Sequence, residues 1–335
     1  MPETTRIGFI GAGGIALYHV DRLRTCGQNE IVALADPSEA SLATLREKRP
    51  ELVGVPTFSD YRRMLAEMEL DAVEIHSPHC FHPRQALDSL EAGKHVLCEK
   101  PLASSPEEAR RLIAKRDETG KELMIAYQRH FSPVYRHMRE QALTGELGEV
   151  RNVVLVLTQE WLRNTRGTWR QDAKLSCGGQ LNDSGSHVID MMLWCTGLRP
   201  REVYAQMNRF DLEVEVDSVL TVRFDNGAIG SVTVLGSTPG YWEMFGIWGD
   251  KGGVSYDITS GLQRHLYGGQ PEHPDLPPAT SDPDANFVRA ILGHEQVQVP
   301  AECGLAVIEL TEAAYRSAAE GKPVRLFAPN LPQDA

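Results

Sequence analysis

Arg6-Ile7-Gly8-Phe9-Ile10-Gly11-Ala12-Gly13-Gly14-Ile15-Ala16 is the stretch that decides the fold. Residues 6–10 form a short apolar run of β type. The cluster after them fits G-x-G-x-x-[GA], with Ala16 in the last place. Gly11 permits a tight turn, and Gly13 lets the backbone approach a pyrophosphate. Ala16 is small enough for the following helix to pack on the sheet with its N-terminus toward an anion. A lone match of this kind is weak. Here it stands between a strand and a helix at the head of a βαβ series, which is the context that gives it meaning.

Working outward, β-type runs recur at residues 30–35, 71–77, 95–98 and 123–127. Helical stretches alternate with them. Ser38 and Ser105 can cap two of these helices, Pro106 suits a first helical position, and Gly93 sits where a helix C-cap glycine belongs. Strands alternating with helices imply a parallel, doubly wound sheet, and nearly continuous apolar strands imply helices on both faces. After about residue 130 the rhythm changes. A helix over 133–143 leads to a strand over 150–157, a loop rich in Trp, Arg and Gly, and a helix over 183–195. A meander follows, with hairpin signals at Asp225-Asn226-Gly227 and Gly249-Asp250-Lys251-Gly252. Residues 268–283 read as a Pro- and Gly-rich surface loop, and a long helix over 303–320 closes the domain. The expected class is α/β, with one domain in residues 1–127 and a second, built on an antiparallel sheet, in residues 128–335.

The 335 residues carry a formal net charge of -12. That balance repels phosphate backbones and anionic lipid, so neither nucleic acid nor membrane is an expected partner. A local nest of backbone N–H groups can still hold an anionic cofactor. Cys26, Cys80, Cys98, Cys177, Cys195 and Cys303 form no C-x-x-C pair. Their irregular spacing suits reduced thiols in a cytoplasm, and with a first strand at residue 6 no signal peptide is expected.

Three further places carry chemistry. Asp36 ends the second strand, where a carboxylate accepts hydrogen bonds from an adenosine ribose diol and repels a 2′-phosphate. No arginine follows it, so NAD is expected over NADP. Glu99-Lys100-Pro101 ends the fourth strand, where ligands of doubly wound sheets gather. A lysine there could polarise a carbonyl or acidify a hydroxyl. The segment Cys177-Gly178-Gly179-Gln180-Leu181-Asn182-Asp183-Ser184-Gly185-Ser186-His187 spaces Asp183 and His187 four apart, on one helical face. Histidine suits removal of a hydroxyl proton, with Asp183 orienting it or binding a neighbouring hydroxyl. His76, His79 and His82 straddle a strand end and a proline without a clear fourth ligand, so no metal is expected.

Together these segments resemble the glucose–fructose oxidoreductase, inositol dehydrogenase and rhizopine-catabolism family. The most recognisable run extends from Ser77-Pro78-His79-Cys80-Phe81-His82 to Glu99-Lys100-Pro101-Leu102-Ala103, paired with Gly-Gly-x-x-x-Asp-x-Gly-x-His. The resemblance implies a Rossmann domain followed by an α/β domain with a large open, mostly antiparallel sheet, often a homodimer or homotetramer interface. It implies catalysis by Lys100, Asp183 and His187 and a cis Lys100–Pro101 bond. The candidate cofactor residues are then Gly11, Gly13, Gly14, Ile15, Asp36, Ser77, His79, His82, Glu99, Lys100, Trp169 and Arg170. Two positions depart from the family pattern: His79 stands where asparagine is usual, and Gln180 interrupts a glycine run that is often longer.

The aromatic and basic residues Tyr127, Gln128, Arg129, His130, Trp161, Arg163, Trp169 and Arg170 suit a pyranose or cyclitol, which has apolar C–H faces and a rim of hydroxyls. The tryptophans equally suit ordinary core, and the arginines a carboxylate or nucleotide sugar. The candidate substrate set is Lys100, Tyr127, Arg129, Trp161, Asp183 and His187. The implied reaction is hydride transfer between NAD and a hydroxyl or carbonyl carbon of a sugar, glycoside or cyclitol. Two alternatives remain open: oxidation, elimination and re-reduction with no net redox, and a cofactor-sensing regulator without turnover.

Overall fold

The computed structural model describes residues 4–326. The chain divides into two compact units. Among the described residues, the first holds 4–128 together with Ser281–Leu305; the second holds Arg129–Thr280 and 306–326.

In the first unit, strands and helices alternate as β1 (Thr5–Ile10), α1 (Ala16–Cys26), β2 (Asn29–Ala35), α2 (Glu39–Lys48), β3 (Thr57–Phe58), α3 (Tyr61–Glu67), β4 (Ala72–Ile75), α4 (His82–Glu91), β5 (His95–Cys98), α5 (Pro106–Thr119) and β6 (Leu123–Ile125). The six strands are all parallel, in the order β3-β2-β1-β4-β5-β6. This is a Rossmann order, and its switch point lies between β1 and β4. Ser38 caps α2 by accepting the Ser41 N–H, and Ser105 caps α5 by accepting the Glu108 N–H. The core is apolar on both faces of the sheet: Ile7, Phe9, Leu34, Val73, Ile75, Val96 and Leu97 are all buried.

The second unit contains α6 (Pro133–Leu143), β7 (Val150–Thr158), the short helices α7 (Trp161–Asn164) and α8 (Ala173–Ser176), and α9 (Gly185–Thr196). These are followed by β8 (Pro200–Asn208), β9 (Asp217–Phe224), β10 (Ile229–Leu235), β11 (Trp242–Gly249), β12 (Gly252–Asp257) and β13 (Gly261–Leu266). After α10 (Pro283–Ile291) and α11 (Ala301–Glu320), the last strand is β14 (Val324–Arg325). The eight strands run β13-β12-β11-β7-β10-β9-β8-β14, antiparallel except where β7 and β10 pair in parallel. One face of this sheet is buried and packs on α9; along β9, Ser218, Leu220, Val222 and Phe224 point inward while Val219, Thr221 and Arg223 point out.

The single break expected near residue 127 is corrected by residues 281–305, which belong to the first unit. There α10 packs on α1 and β5, Pro300 bridges Met124, and Glu302 pairs with Arg116. Among the described residues no helix is long and apolar enough to cross a membrane.

Candidate functional site

The glycine turn follows β1 at the switch point. A Cβ on Gly11, whose φ is +100°, would lie 2.7 Å from the Ser77 backbone nitrogen and 2.8 Å from the His76 carbonyl carbon, so only glycine fits. Gly13 is the opposite case: a Cβ there would meet no atom of the described residues within 4 Å. That open cradle at the head of α1 is what a bound pyrophosphate requires. Asp36 closes the turn from the end of β2. Its two oxygens accept the N–H groups of Ala12 and Ser38, each at 2.8 Å. A carboxylate so placed keeps lone pairs for a diol. The residues present therefore fit a dinucleotide.

At the end of β5 the Lys100–Pro101 bond is cis, as the resemblance implied. The Lys100 N–H donates to Glu99 Oε2 at 3.1 Å. His82 is fully buried, and its ring nitrogens face the carbonyls of Pro101 (2.7 Å) and Ser77 (2.8 Å). It thereby braces the loop after β4 against the turn that carries Lys100. His79 is buried with its ring edge-on to His82. Ser77 Oγ donates to Gln85 at 2.6 Å. So the structure gathers Ser77, His79, His82, Glu99 and Lys100 at neighbouring strand ends beside the glycine turn.

In the second unit, the segment before α9 is held from behind by Glu215. This buried carboxylate accepts the N–H groups of Gly179 (2.8 Å) and Leu181 (2.9 Å) and the Tyr315 hydroxyl (3.0 Å). Burial pushes the Glu215 carboxyl up, and those donors pull against it. A Cβ on Gly179 would stand 1.8 Å from the Glu215 carbonyl oxygen, which explains the glycine. Asp183 lies in the turn two positions before α9, and its N–H donates to Gly179 O at 3.0 Å. Its Oδ2 accepts from Trp161 Nε1 (2.9 Å) and Arg170 Nε (3.0 Å), and the Arg170 guanidinium covers the Trp169 ring at 4.5 Å. His187 is half-buried in the first turn of α9.

Asp183, Trp161, Trp169 and Arg170, all expected at the site, are thus one cluster. Three residues of the expected substrate set have protein partners or lie in the core. Trp161 is 4% exposed and packs with Val214 and Val216, so its indole orients Asp183 from the core. Arg129 forms a salt bridge with Glu243, which also accepts from Tyr135 and Tyr241. Tyr127 is fully buried in the first unit. Sequence reasoning missed Glu215, whose partners lie 34 to 100 residues away, and the buried His19, Glu74 and Asp284.

A family model described as an oxidoreductase family with an NAD-binding Rossmann fold matches residues 5–127, and the C-terminal domain model of the same family matches residues 135–255. An uncharacterised oxidoreductase of Bacillus subtilis, YrbE, is 25% identical over 95% of this chain and 96% of its own. The D-glucoside 3-dehydrogenase of Escherichia coli is 33% identical over 57% of this chain, a match that spans only 54% of that enzyme. The crystal structure of the WlbA dehydrogenase from Bordetella pertussis, in complex with NADH and UDP-GlcNAcA, has a TM-score of 0.86 at 25% identity. It covers 97% of this chain and all of that one. The chain belongs to the glucose–fructose oxidoreductase, inositol dehydrogenase and MocA family of oxidoreductases, with an NAD-binding Rossmann domain in residues 5–127.

Proposed function

We propose that this enzyme transfers a hydride between NAD and a hydroxyl or carbonyl carbon of a sugar, glycoside or cyclitol. The observation that carries the reading is Lys100: it stands at the carboxyl end of a parallel strand, its backbone N–H held by Glu99, in a sheet whose switch point bears an open glycine cradle. The names of the relatives, a glucoside dehydrogenase and a dehydrogenase crystallised with a nucleotide sugar, support the substrate class.

Residues Gly11, Gly13, Gly14 and Ile15 hold the pyrophosphate, and Asp36 accepts from the ribose diol and disfavours a 2′-phosphate. NAD, when bound, supplies the hydride acceptor or donor. The Lys100 ammonium stabilises negative charge developing on the substrate oxygen, and His187 takes the hydroxyl proton or returns it. Asp183 binds a neighbouring hydroxyl, with Trp161 and Arg170 fixing its carboxylate. Trp169 and Arg170 contribute their flat faces to cofactor or substrate.

A second copy of the chain is the expected partner. The outward face of the second sheet carries Tyr204, Val219, Ile229 and Trp248, each at least 36% exposed, and a symmetric dimer or tetramer through it would cover them.

A panel of sugars, glycosides and cyclitols with NAD and with NADP, followed at the NADH absorbance, tests the function. Sustained NADH formation with a polyol, faster with NAD, supports it. Product without net NADH supports the oxidation–elimination reading, and cofactor binding without turnover supports the regulator.

A further inference from the structure

Beside the glycine turn, ionisable side chains from several elements of the first unit are packed together out of solvent. His19 on α1, Glu74 on β4 and Asp284 on α10 are each 0% exposed, and His76, just past β4, is 6% exposed. His19 Nδ1 lies 2.6 Å from Asp284 Oδ1 and 3.5 Å from Glu74 Oε2, and its Nε2 lies 3.2 Å from Glu99 Oε1. Arg22, one turn along α1, reaches Asp284 Oδ2 at 3.4 Å. Among the described residues, no group stands in good hydrogen-bond geometry to either oxygen of Glu74 or either ring nitrogen of His76, although Glu74 Oε2 is 3.5 Å from both His19 Nδ1 and His76 Nε2.

Ligand atoms of His19, Glu74 and His76 lie within 4.8 Å of one another, which raises the question of a metal. The rings answer it. A metal sits in the plane of each imidazole it binds, about 2.0–2.1 Å from the nitrogen. Here the two rings stack, with centroids 4.2 Å apart and planes at 29°, so no point close to both nitrogens lies in both planes. The charges give a different account. Glu74, Glu99 and Asp284 would bring three negative charges; Arg22 and a charged His19 bring two positive ones. The cluster balances when one carboxyl keeps its proton, and Glu74 is the one: the His19 Nδ1 that lies 3.5 Å from it is committed to Asp284 at 2.6 Å, and no other described donor stands closer.

We propose that His19 is a positioning residue for Lys100: an imidazolium anchored by Asp284, it grips one oxygen of Glu99 while the other oxygen accepts the Lys100 N–H, and Glu74 is carried as the neutral acid that keeps the buried cluster balanced. This rests on the assignment of Lys100 to catalysis. The groups facing the cluster agree with it. Burial opposes a charge on His19, but Asp284, and then Glu99, outweigh it and hold the imidazole well above its usual range. Burial, then Asp284, pushes the Glu74 carboxyl up against the pull of His19 and Arg22. His76 is pushed down by burial and by His19, with Glu99 and the Gly11 backbone opposing and His82 on α4 adding to the shift.

Because His19 is raised above its unfolded value, its contribution is present at neutral pH and lost as pH rises through the folded value. Turnover at saturating substrate should therefore fall on the alkaline side in the wild type. His19→Gln should lower kcat at least tenfold at pH 7, erase that alkaline limb, and change the NADH dissociation constant by less than threefold. Glu74→Gln, which mimics the neutral acid, should leave kcat within twofold and the melting temperature no lower at pH 7. Imidazole nitrogen NMR of the wild type, which needs no variant to fold, should find His19 doubly protonated at pH 8. A neutral His19 at pH 8, a wild-type pH profile in His19→Gln, or inactivation by Glu74→Gln overturns the proposal. So does one equivalent of transition metal that co-purifies with the protein and is lost in His76→Ala. Full activity in Lys100→Ala would sink the catalytic assignment instead, leaving the protonation of His19 to stand or fall on the NMR.

Discussion

Asp183 holds the indole of Trp161: Oδ2 accepts from Nε1 at 2.9 Å, and both side chains are out of solvent. The same oxygen accepts from Arg170, so the carboxylate is fixed in direction before any ligand arrives. Asp183→Asn puts an amide where two donors converge. It should reduce kcat by about 10²-fold or more. It should also cost about 1–3 kcal/mol of stability, since a buried donor loses its acceptor. Steady-state kinetics and urea unfolding of the variant check both numbers; loss of stability alone would make Asp183 structural.

The glycine turn separates folding from binding. Gly11→Ala forces a Cβ to within 2.7 Å of the Ser77 nitrogen at a positive φ, and should destabilise by more than ~2 kcal/mol. Gly13→Ala meets no atom of the described residues within 4 Å, so its stability should stay within ~0.5 kcal/mol. Its NADH affinity should drop at least tenfold, because the methyl group fills the space the pyrophosphate needs. Melting curves with and without NADH distinguish the two variants.

His95 gives a pH prediction within the first unit. Its Nδ1 accepts the Glu122 N–H at 3.0 Å, which only a neutral ring can do. Burial, then Lys121, lowers its pKa from 6.5 to about 4. A depressed value means that the contribution is complete above pH 6.5 and is lost as pH falls toward about 4. Wild type should therefore lose stability in that window relative to His95→Gln, and the difference between their melting temperatures should be constant above it.

The outward sheet face should carry the contact between copies. Val219 is 49% exposed and stands opposite Gln206 on one side and Thr233 on the other. Val219→Glu adds charge at the middle of the face. Light scattering should find a smaller species, with the dimer weakened at least ~30-fold if the residue sits at the contact centre. An unchanged mass at micromolar concentration would move the interface elsewhere.

The parts legible in the sequence are those written locally. The glycine turn and the strand ending in Glu99-Lys100-Pro101 each occupy a few consecutive residues, and the alternation of strands with helices fixed the first sheet; Asp183, expected on one helical face with His187, lies instead in the turn before α9. What escaped depends on distant pairing. Helix α10 follows a proline-rich loop, and its place in the first unit rests on Asp284 meeting His19, 265 residues away. Glu215 looks like any strand-end carboxylate until Gly179 folds onto it. Trp161 resembles a sugar platform by its neighbours in sequence, but Val214 and Val216 bury it. The parallel pairing of β7 with β10 is likewise invisible in a stretch that reads as a meander.

The role of Lys100 is tested most directly by measuring NADH binding and turnover together in Lys100→Ala, on whichever polyol the wild type oxidises fastest. Calorimetric NADH affinity should stay within about threefold of wild type, since the pyrophosphate and ribose contacts remain, and turnover should fall by about 10²–10⁴-fold. Wild-type turnover in this variant would contradict that role.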